Sequence, residues 1–418
     1  MVLSLSSVHS RSIISRTAIF LIATSLSNFG RAAEPPVEFQ LHLDVAHQEL
    51  SPNYCWFHPR AAAVPGLGEK DDPLVVLTLQ KHLGASDHYS GLYYMTSRNL
   101  GRTWTKPVLP KQLEWRQGED QETIGVCDVT PGWHARSERV LAIGVQLRYN
   151  DAGVQLMDKP RSYDAVYAVF DPETDAWTKW KTLGMPMGNE GQFHHIAPGC
   201  VQWLVQSDGS ILLPLYYQGR DGGPYSVTVV HATFDGVTMK YVTHGDELHL
   251  NEVRGLVEPS LTRFRGRYYL TLRNDKRGYV TSSDDGLHFD VIKPWTFDDG
   301  SELGSYNTQQ HWVTHSDGLF LSYTRRGAKN DHIMRNRAPL FIARVDPERM
   351  TVIRESETVL MPERGVMLGN FGVVTINDHE SWVTDSEFIA EGDPHERGAD
   401  GSTFVARLKW SRPNRRNE

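Results

Sequence analysis

Strongly apolar segments begin at residues 73, 139, 210, 267, 319 and 381, about every fifty to seventy residues along the chain. They read PLVVLTLQ (73–80), RVLAIGVQLR (139–148), SILLPLYYQ (210–218), RYYLTLR (267–273), LFLSYTR (319–325) and SWVTDSEF (381–388). Each is short and rich in β-branched and aromatic residues, the pattern of a strand covered on both faces. Tight polar turns precede the later ones: Ser207-Asp208-Gly209, Arg265-Gly266, Ser316-Asp317-Gly318 and Asn377-Asp378. Each segment has an extended partner before it, as in HPRAAAVPG (58–66), APGCVQWLVQ (197–206) and NTQQHWVTH (307–315). Another follows it, as in GLYYMTS (91–97), YSVTVVHATF (225–234) and APLFIARVD (338–346). Six units of three or four strands, with no long helical period between them, predict an all-β, six-bladed β-propeller. VEFQLHLDV (37–45) alternates apolar and polar positions. Pairing it with STFVARLKW (402–410) would close the ring and remove its open edge.

One hairpin has a register that can be worked out. In EPSLTRFRGRYYLTLRND (258–275), Arg265-Gly266 supplies a two-residue turn. With Phe264 opposite Arg267, Glu258 falls opposite Arg273, and directly opposed side chains share a face. A cross-strand ion pair explains the two charges without function. More charge converging on the same end of the hairpin would instead indicate a site.

Composition agrees with a β protein: 11 Trp, 16 Tyr and 35 Gly with 22% charged residues give ample core and many turns, and exclude a disordered chain. The first thirty-odd residues stand apart. Arg11 and Arg16 precede an apolar run, Thr17 to Leu26, and a small-x-small stretch, Gly30-Arg31-Ala32, follows. This is the layout of a secretory signal, too short for a membrane span. The expected organisation is a signal over 1–32, a propeller over 37–410 and a polar tail over 411–418. It places the protein outside the cytoplasm, periplasmic or extracellular, with no membrane span in the mature chain. Three cysteines, Cys55, Cys127 and Cys200, show no metal-ligand spacing and fall in apolar segments, so buried free thiols are expected, with no metal or other cofactor. The net charge of −8 argues against a nucleic-acid partner. An anionic ligand would need a local cluster of arginines to reverse that field.

Two turns carry a more specific pattern. Residues 282–289, SSDDGLHF, fit S-x-D-x-G-x-x-aromatic, and residues 97–104, SRNLGRTW, fit it with Asn in place of Asp. This resembles the Asp-box of sialidases, a turn in which a short polar side chain bonds nearby N–H groups and the aromatic plugs the blade. The resemblance extends over roughly residues 50 to 410. It implies a sialidase-like propeller and a glycosidase whose partner is a glycan or polysaccharide.

Sialidases hold the substrate carboxylate with three arginines, and use an Asp acid/base and a Tyr nucleophile assisted by a Glu. By resemblance, Arg60, Arg273 and Arg337 are the carboxylate-binding arginines, with Arg335 beside the last. Asp87 takes the acid/base position and Glu258 that of the assisting Glu. His195, with His194, and Gln309, with His311, fall where inner strands approach the axis and are candidates for sugar hydroxyls. The pattern breaks in the last blade, where Leu368-Gly369-Asn370-Phe371-Gly372 contains no Tyr. Either Tyr306 substitutes as nucleophile, or Glu258 acts on water directly, or hydrolysis has been lost. The expected function is removal of a terminal acidic sugar, sialic or uronic acid. The alternatives are an exo-hydrolase of a neutral sugar, like the exo-arabinanases, and a non-catalytic glycan-binding propeller.

Overall fold

The computed structural model describes residues 35–415 apart from 85–86, 119–121, 157–162, 369 and 390–395. The predicted signal over 1–32 lies outside the described residues. From Phe39 to Trp410 the chain forms six antiparallel sheets in sequence order, the six blades of a propeller. Blade one spans 55–97, blade two 116–182, blade three 195–244, blade four 257–294, blade five 311–361 and blade six 372–410. Helical structure among the described residues is confined to short 3-10 turns.

Each of the six apolar segments lies between two other strands of its blade and is sandwiched on both faces by neighbouring blades. Leu74–His82 and Ile211–Gln218 are buried almost throughout, whereas the outer strand Met239–His244 is mostly exposed. That sandwiching explains why these strands read as continuous apolar runs rather than alternating ones. Among the described residues the core is six clusters, five of them each between two neighbouring blades and one joining blades three and four to side chains of blades one and two. Leu213, Leu215 and Val230 of blade three meet Leu141 and Ile143 of blade two, for example. Trp382 and Val405 of blade six meet Val75 and Leu77 of blade one.

Phe39–Gln48 pairs antiparallel with Ser402–Trp410, Phe39 opposite Trp410, and is the outermost strand of blade six. The first described strand thus seals the ring as its alternation implied. Both turns are closed by side-chain-to-backbone hydrogen bonds, though not identically. Asn99 Oδ1 accepts from Thr103 N–H at 2.9 Å, and Ser97 Oγ from Gly101 N–H at 2.9 Å. In the other turn Asp285, not Asp284, accepts from the N–H groups of Leu287 and His288, both at 2.8 Å.

Candidate functional site

Five blades share one backbone device, within or beside an inner strand. His58, Asp128, Cys200, Glu258 and Asn370 all have positive φ, between 47° and 79°. Left-handed backbone is costly for residues with a Cβ, and such strain concentrates where a side chain must be aimed. In blades one, two and four the ladder register breaks there, between Phe57 and Arg60, Cys127 and Thr130, and Val257 and Ser260. Pro59 and Pro259 lack the N–H a regular ladder needs, so a bulge is the natural outcome. In blade five the left-handed residue is Asn307 (φ 54°). These strand heads converge on the propeller axis.

The bulge also corrects the hairpin register. Phe264 is opposite Arg267 as expected, but Val257, not Glu258, is opposite Arg273. Glu258 sits in the bulge and still receives a hydrogen bond from Arg273 Nη1. The pair forms by bulging, not by direct opposition.

Around the axis lies a cavity of about 210 Å³. Asp87, Asp128, Glu258, Arg254, Arg273, Arg335, Arg337 and Asn370 line it, with an aromatic wall that includes Tyr89, Tyr216 and Tyr225. Four arginines face three carboxylates, a local positive excess on a chain of net charge −8.

Two of these arginines are joined through Asn307. Arg273 Nη2 donates to Asn307 Oδ1 at 2.9 Å, and Arg337 Nε donates to the Asn307 carbonyl at 3.1 Å. Arg337 Nη2 reaches the same carbonyl, and Nη1 donates to Asn370 Oδ1 at 3.2 Å. Burial alone would lower the Arg273 guanidinium, but Glu258 holds it above its ordinary value. Arg337 goes the other way, pushed down to about 9 by burial and then by the neighbouring Arg273 charge. Among the described residues it has no carboxylate in hydrogen-bond contact, only neutral acceptors. Arg335 forms no ion pair among the described residues, and Arg254 lies 3.6 Å from Asp275.

Of the residues expected from sequence, Asp87, Glu258, Arg273, Arg335 and Arg337 meet at this cavity; Arg60, His194, His195, Gln309, His311 and Tyr306 do not line it. Arg60 is fully buried and donates to the carbonyls of Phe371, Val129 and Asn370 at 3.2–3.3 Å. It ties blade one to blades two and six. Gln309, buried in blade five, can accept from the N–H groups of Asn370 and Phe371 at 2.9 and 3.0 Å, holding the blade-six strand head in place. His195 Nδ1 accepts from Tyr163 N–H at 3.2 Å. Tyr306 donates its hydroxyl to Asn336 Oδ1 at 2.7 Å, with Arg326 stacked 4.3 Å from its ring. Tyr306 does not line the cavity.

Sequence reasoning missed Arg254, Asp128 and Asn307. Asp128 had a signal: Phe57-His58, Cys127-Asp128 and Val257-Glu258 each set one polar residue after an apolar one at the head of an inner strand. The cysteines are free and buried as expected. Linear spacing did not anticipate that His58 Nε2 lies 2.9 Å from Asp128 Oδ1, with Cys200 Sγ 3.2 Å from the same oxygen.

No family model and no curated protein matches the chain. Solved structures do. A protein of unknown function from Dyadobacter fermentans superposes with TM-score 0.58 at 14% identity, over 88% of this chain and 99% of that one. Trypanosoma rangeli sialidase, in complex with the inhibitor DANA, gives 0.57 at 15% identity, over 85% of this chain and 55% of the sialidase. The NanB sialidase of Streptococcus pneumoniae gives 0.55 at 12%, over 88% and 70%. The fold is that of the sialidase propellers. At such identities the likeness extends to the fold and no further.

Proposed function

We propose that this protein is an exported exo-glycosidase that removes a terminal acidic sugar from a glycan or polysaccharide. The observation that carries the reading is Arg337. A guanidinium in an aromatic-walled cavity, buried, lowered by a second arginine and bonded only to neutral acceptors, is complementary to a ligand carboxylate. Arg273 adjoins it through Asn307, so a carboxylate can be held by both planar forks. Arg335 or Arg254 takes the third position expected of Arg60, whose donors are committed to main-chain carbonyls.

Asp87 is the acid. It is exposed at the cavity edge, 3.4 Å from the Tyr89 hydroxyl, where it can exchange protons with solvent. Glu258 lines the cavity with one oxygen held by Arg273, which leaves the other to accept a proton from an attacking water. With Asn370 ahead of the blade-six strand and Tyr306 bonded to Asn336 outside the cavity lining, water attack directed by Glu258 is the simplest chemistry, and it inverts the anomeric centre.

Aryl glycosides of sialic acid, glucuronic acid and arabinose, assayed side by side, test the proposal. Release from an acidic glycoside alone is expected. Release from the arabinoside alone would make the protein a neutral-sugar hydrolase. Silence on all three, with retained binding on a glycan array, would make it a lectin.

A further inference from the structure

We propose that His58, Asp128 and Cys200 form a metal site of the zinc class at the base of the cavity, open toward the cavity at its fourth position. The three residues come from three blades, one each from blades one, two and three, and share the left-handed strand-head conformation with φ of 53°, 56° and 53°. Their donor atoms, His58 nitrogen, Asp128 oxygen and Cys200 sulfur, all lie within 4.8 Å of one another. In a tetrahedral zinc site with bonds of 2.0–2.3 Å such atoms stand roughly 3.3–3.6 Å apart. The observed 2.9 Å between His58 Nε2 and Asp128 Oδ1, and 3.2 Å between Cys200 Sγ and that oxygen, require each pair to part by only about 0.4 Å.

A second observation concerns the proton on His58. Its Nε2 faces Asp128 Oδ1 at 2.9 Å and Asn370 Nδ2 at 2.6 Å. If Nε2 carries the proton, it satisfies Asp128 but abuts the amide N–H₂ of Asn370. If Nε2 is bare, it accepts from Asn370 but turns its lone pair on the carboxylate. Turning the Asn370 amide moves the conflict to Arg337, which now donates to Asn370 Oδ1 at 3.2 Å. No tautomer or amide orientation satisfies the group. A cation between Nε2, Oδ1 and Sγ, bound as the Cys200 thiol proton leaves, removes the conflict between His58 and Asp128, and the Asn370 amide keeps the Cys200 sulfur, 3.7 Å away, as its acceptor.

The ligand set selects the ion. Thiolate and imidazole suit zinc or cobalt, and disfavour calcium and magnesium, which take oxygen ligands. Two anionic ligands offset the charge of a dication, which matters with Arg60 buried alongside. His58 is packed between Phe57 and Tyr89, with ring centroids at 4.3 and 4.9 Å, so its imidazole is held in orientation without a metal. His58 and Cys200 are buried, whereas Asp128 and Asn370 line the cavity. An ion would therefore enter from the cavity and offer its remaining position to a water or a sugar oxygen there. This inference does not depend on hydrolytic activity.

The test loads the full-length protein with zinc chloride, removes excess, and measures bound metal by mass spectrometry, then repeats the loading with cobalt chloride and records the absorption spectrum. About one zinc per chain is expected, and cobalt should produce a thiolate-to-metal charge-transfer band. Both should be lost in Cys200→Ser and His58→Gln and retained in Cys127→Ser, which removes the neighbouring buried thiol. Circular dichroism of each variant separates loss of the site from loss of the fold. If Cys200→Ser misfolds, the cobalt band of the unmutated protein decides alone. A folded parent that holds no zinc and gives no thiolate band overturns the proposal, as does a Cys200→Ser variant that keeps both signals.

Discussion

Blades four and five each set a buried arginine on the same cavity, and the two are partnered in opposite ways. Arg273 of blade four is matched: Glu258 shares its burial and raises it above the ordinary guanidinium range. Arg337, just ahead of the blade-five strand Leu340–Asp346, is unmatched, held by the Asn307 carbonyl and Asn370 Oδ1 and lowered by burial and by Arg273. Two buried charges of one sign, a single residue apart through Asn307, are stable only if something neutral or negative separates them. In the free protein neutral acceptors do so. A bound carboxylate would do so better, and the blades thus differ in partner: the Arg273 charge is matched within the fold, whereas the Arg337 charge has a carboxylate only if a ligand brings one.

The largest effect should come from breaking the matched side. Glu258→Gln removes the proposed base, and turnover of an acidic aryl glycoside is expected to fall about a thousandfold or more. Tyr306→Phe is the paired control and should leave turnover within about twofold, since it removes one hydrogen bond to Asn336 outside the cavity. Proton NMR of the fresh product should show the inverted anomer, the outcome of water attack in glycosidases whose acid and base stand roughly 6.5–9.5 Å apart. A retained anomer would transfer the nucleophile's role to a tyrosine of the cavity wall and remove Glu258 as base.

Next in size is Arg273→Lys. Lysine keeps the positive charge beside Glu258 but replaces a planar fork that reaches Glu258 and Asn307 together with a point charge. The expectation is about a hundredfold lower kcat/KM on the acidic substrate with little change in melting temperature. An unchanged kcat/KM would take Arg273 out of the site and leave it a structural partner of Glu258.

Much of this architecture was legible before any coordinates. The six doubly covered strands carried the blade count, because a strand sandwiched between blades must be apolar on both faces. Phe39–Gln48 announced ring closure by alternation, since its outer face meets solvent. Glu258 and Arg273 were legible as a pair because a two-residue turn dictates register nearby. The precise register was not, because a bulge at Glu258-Pro259 shifts it by one residue. Arg60 misled for a related reason. A lone arginine at a strand head reads as a ligand contact, and nothing in the linear order reveals that three carbonyls from blades two and six surround it. The His58–Asp128–Cys200 grouping was invisible to spacing rules because its members are brought together only when the ring closes.

The effect on the stability of the free protein sharpens the comparison most, because it differs in sign between the two arginines. Removing the charge at Arg273 with Arg273→Met leaves Glu258 buried without its counter-ion, which typically costs about 3–5 kcal/mol. Removing it with Arg337→Met deletes a buried charge that has no carboxylate partner among the described residues. That deletion relieves desolvation and the repulsion with Arg273, while the Asn307 carbonyl and Asn370 amide lose donors worth about 1 kcal/mol each. The two contributions nearly cancel or leave the variant up to about 2 kcal/mol more stable. Melting of the free protein should therefore drop in Arg273→Met and hold or rise in Arg337→Met. Added ligand reverses the ranking. An acidic sugar at a hundred times its dissociation constant should stabilise the parent by about 2.7 kcal/mol, and the same concentration should do almost nothing for Arg337→Met. A neutral sugar should not distinguish parent from variant. Should Arg337→Met instead melt well below the parent when free, Arg337 would be a structural tie like Arg60, and the carboxylate would have to be sought at Arg254 and Arg335.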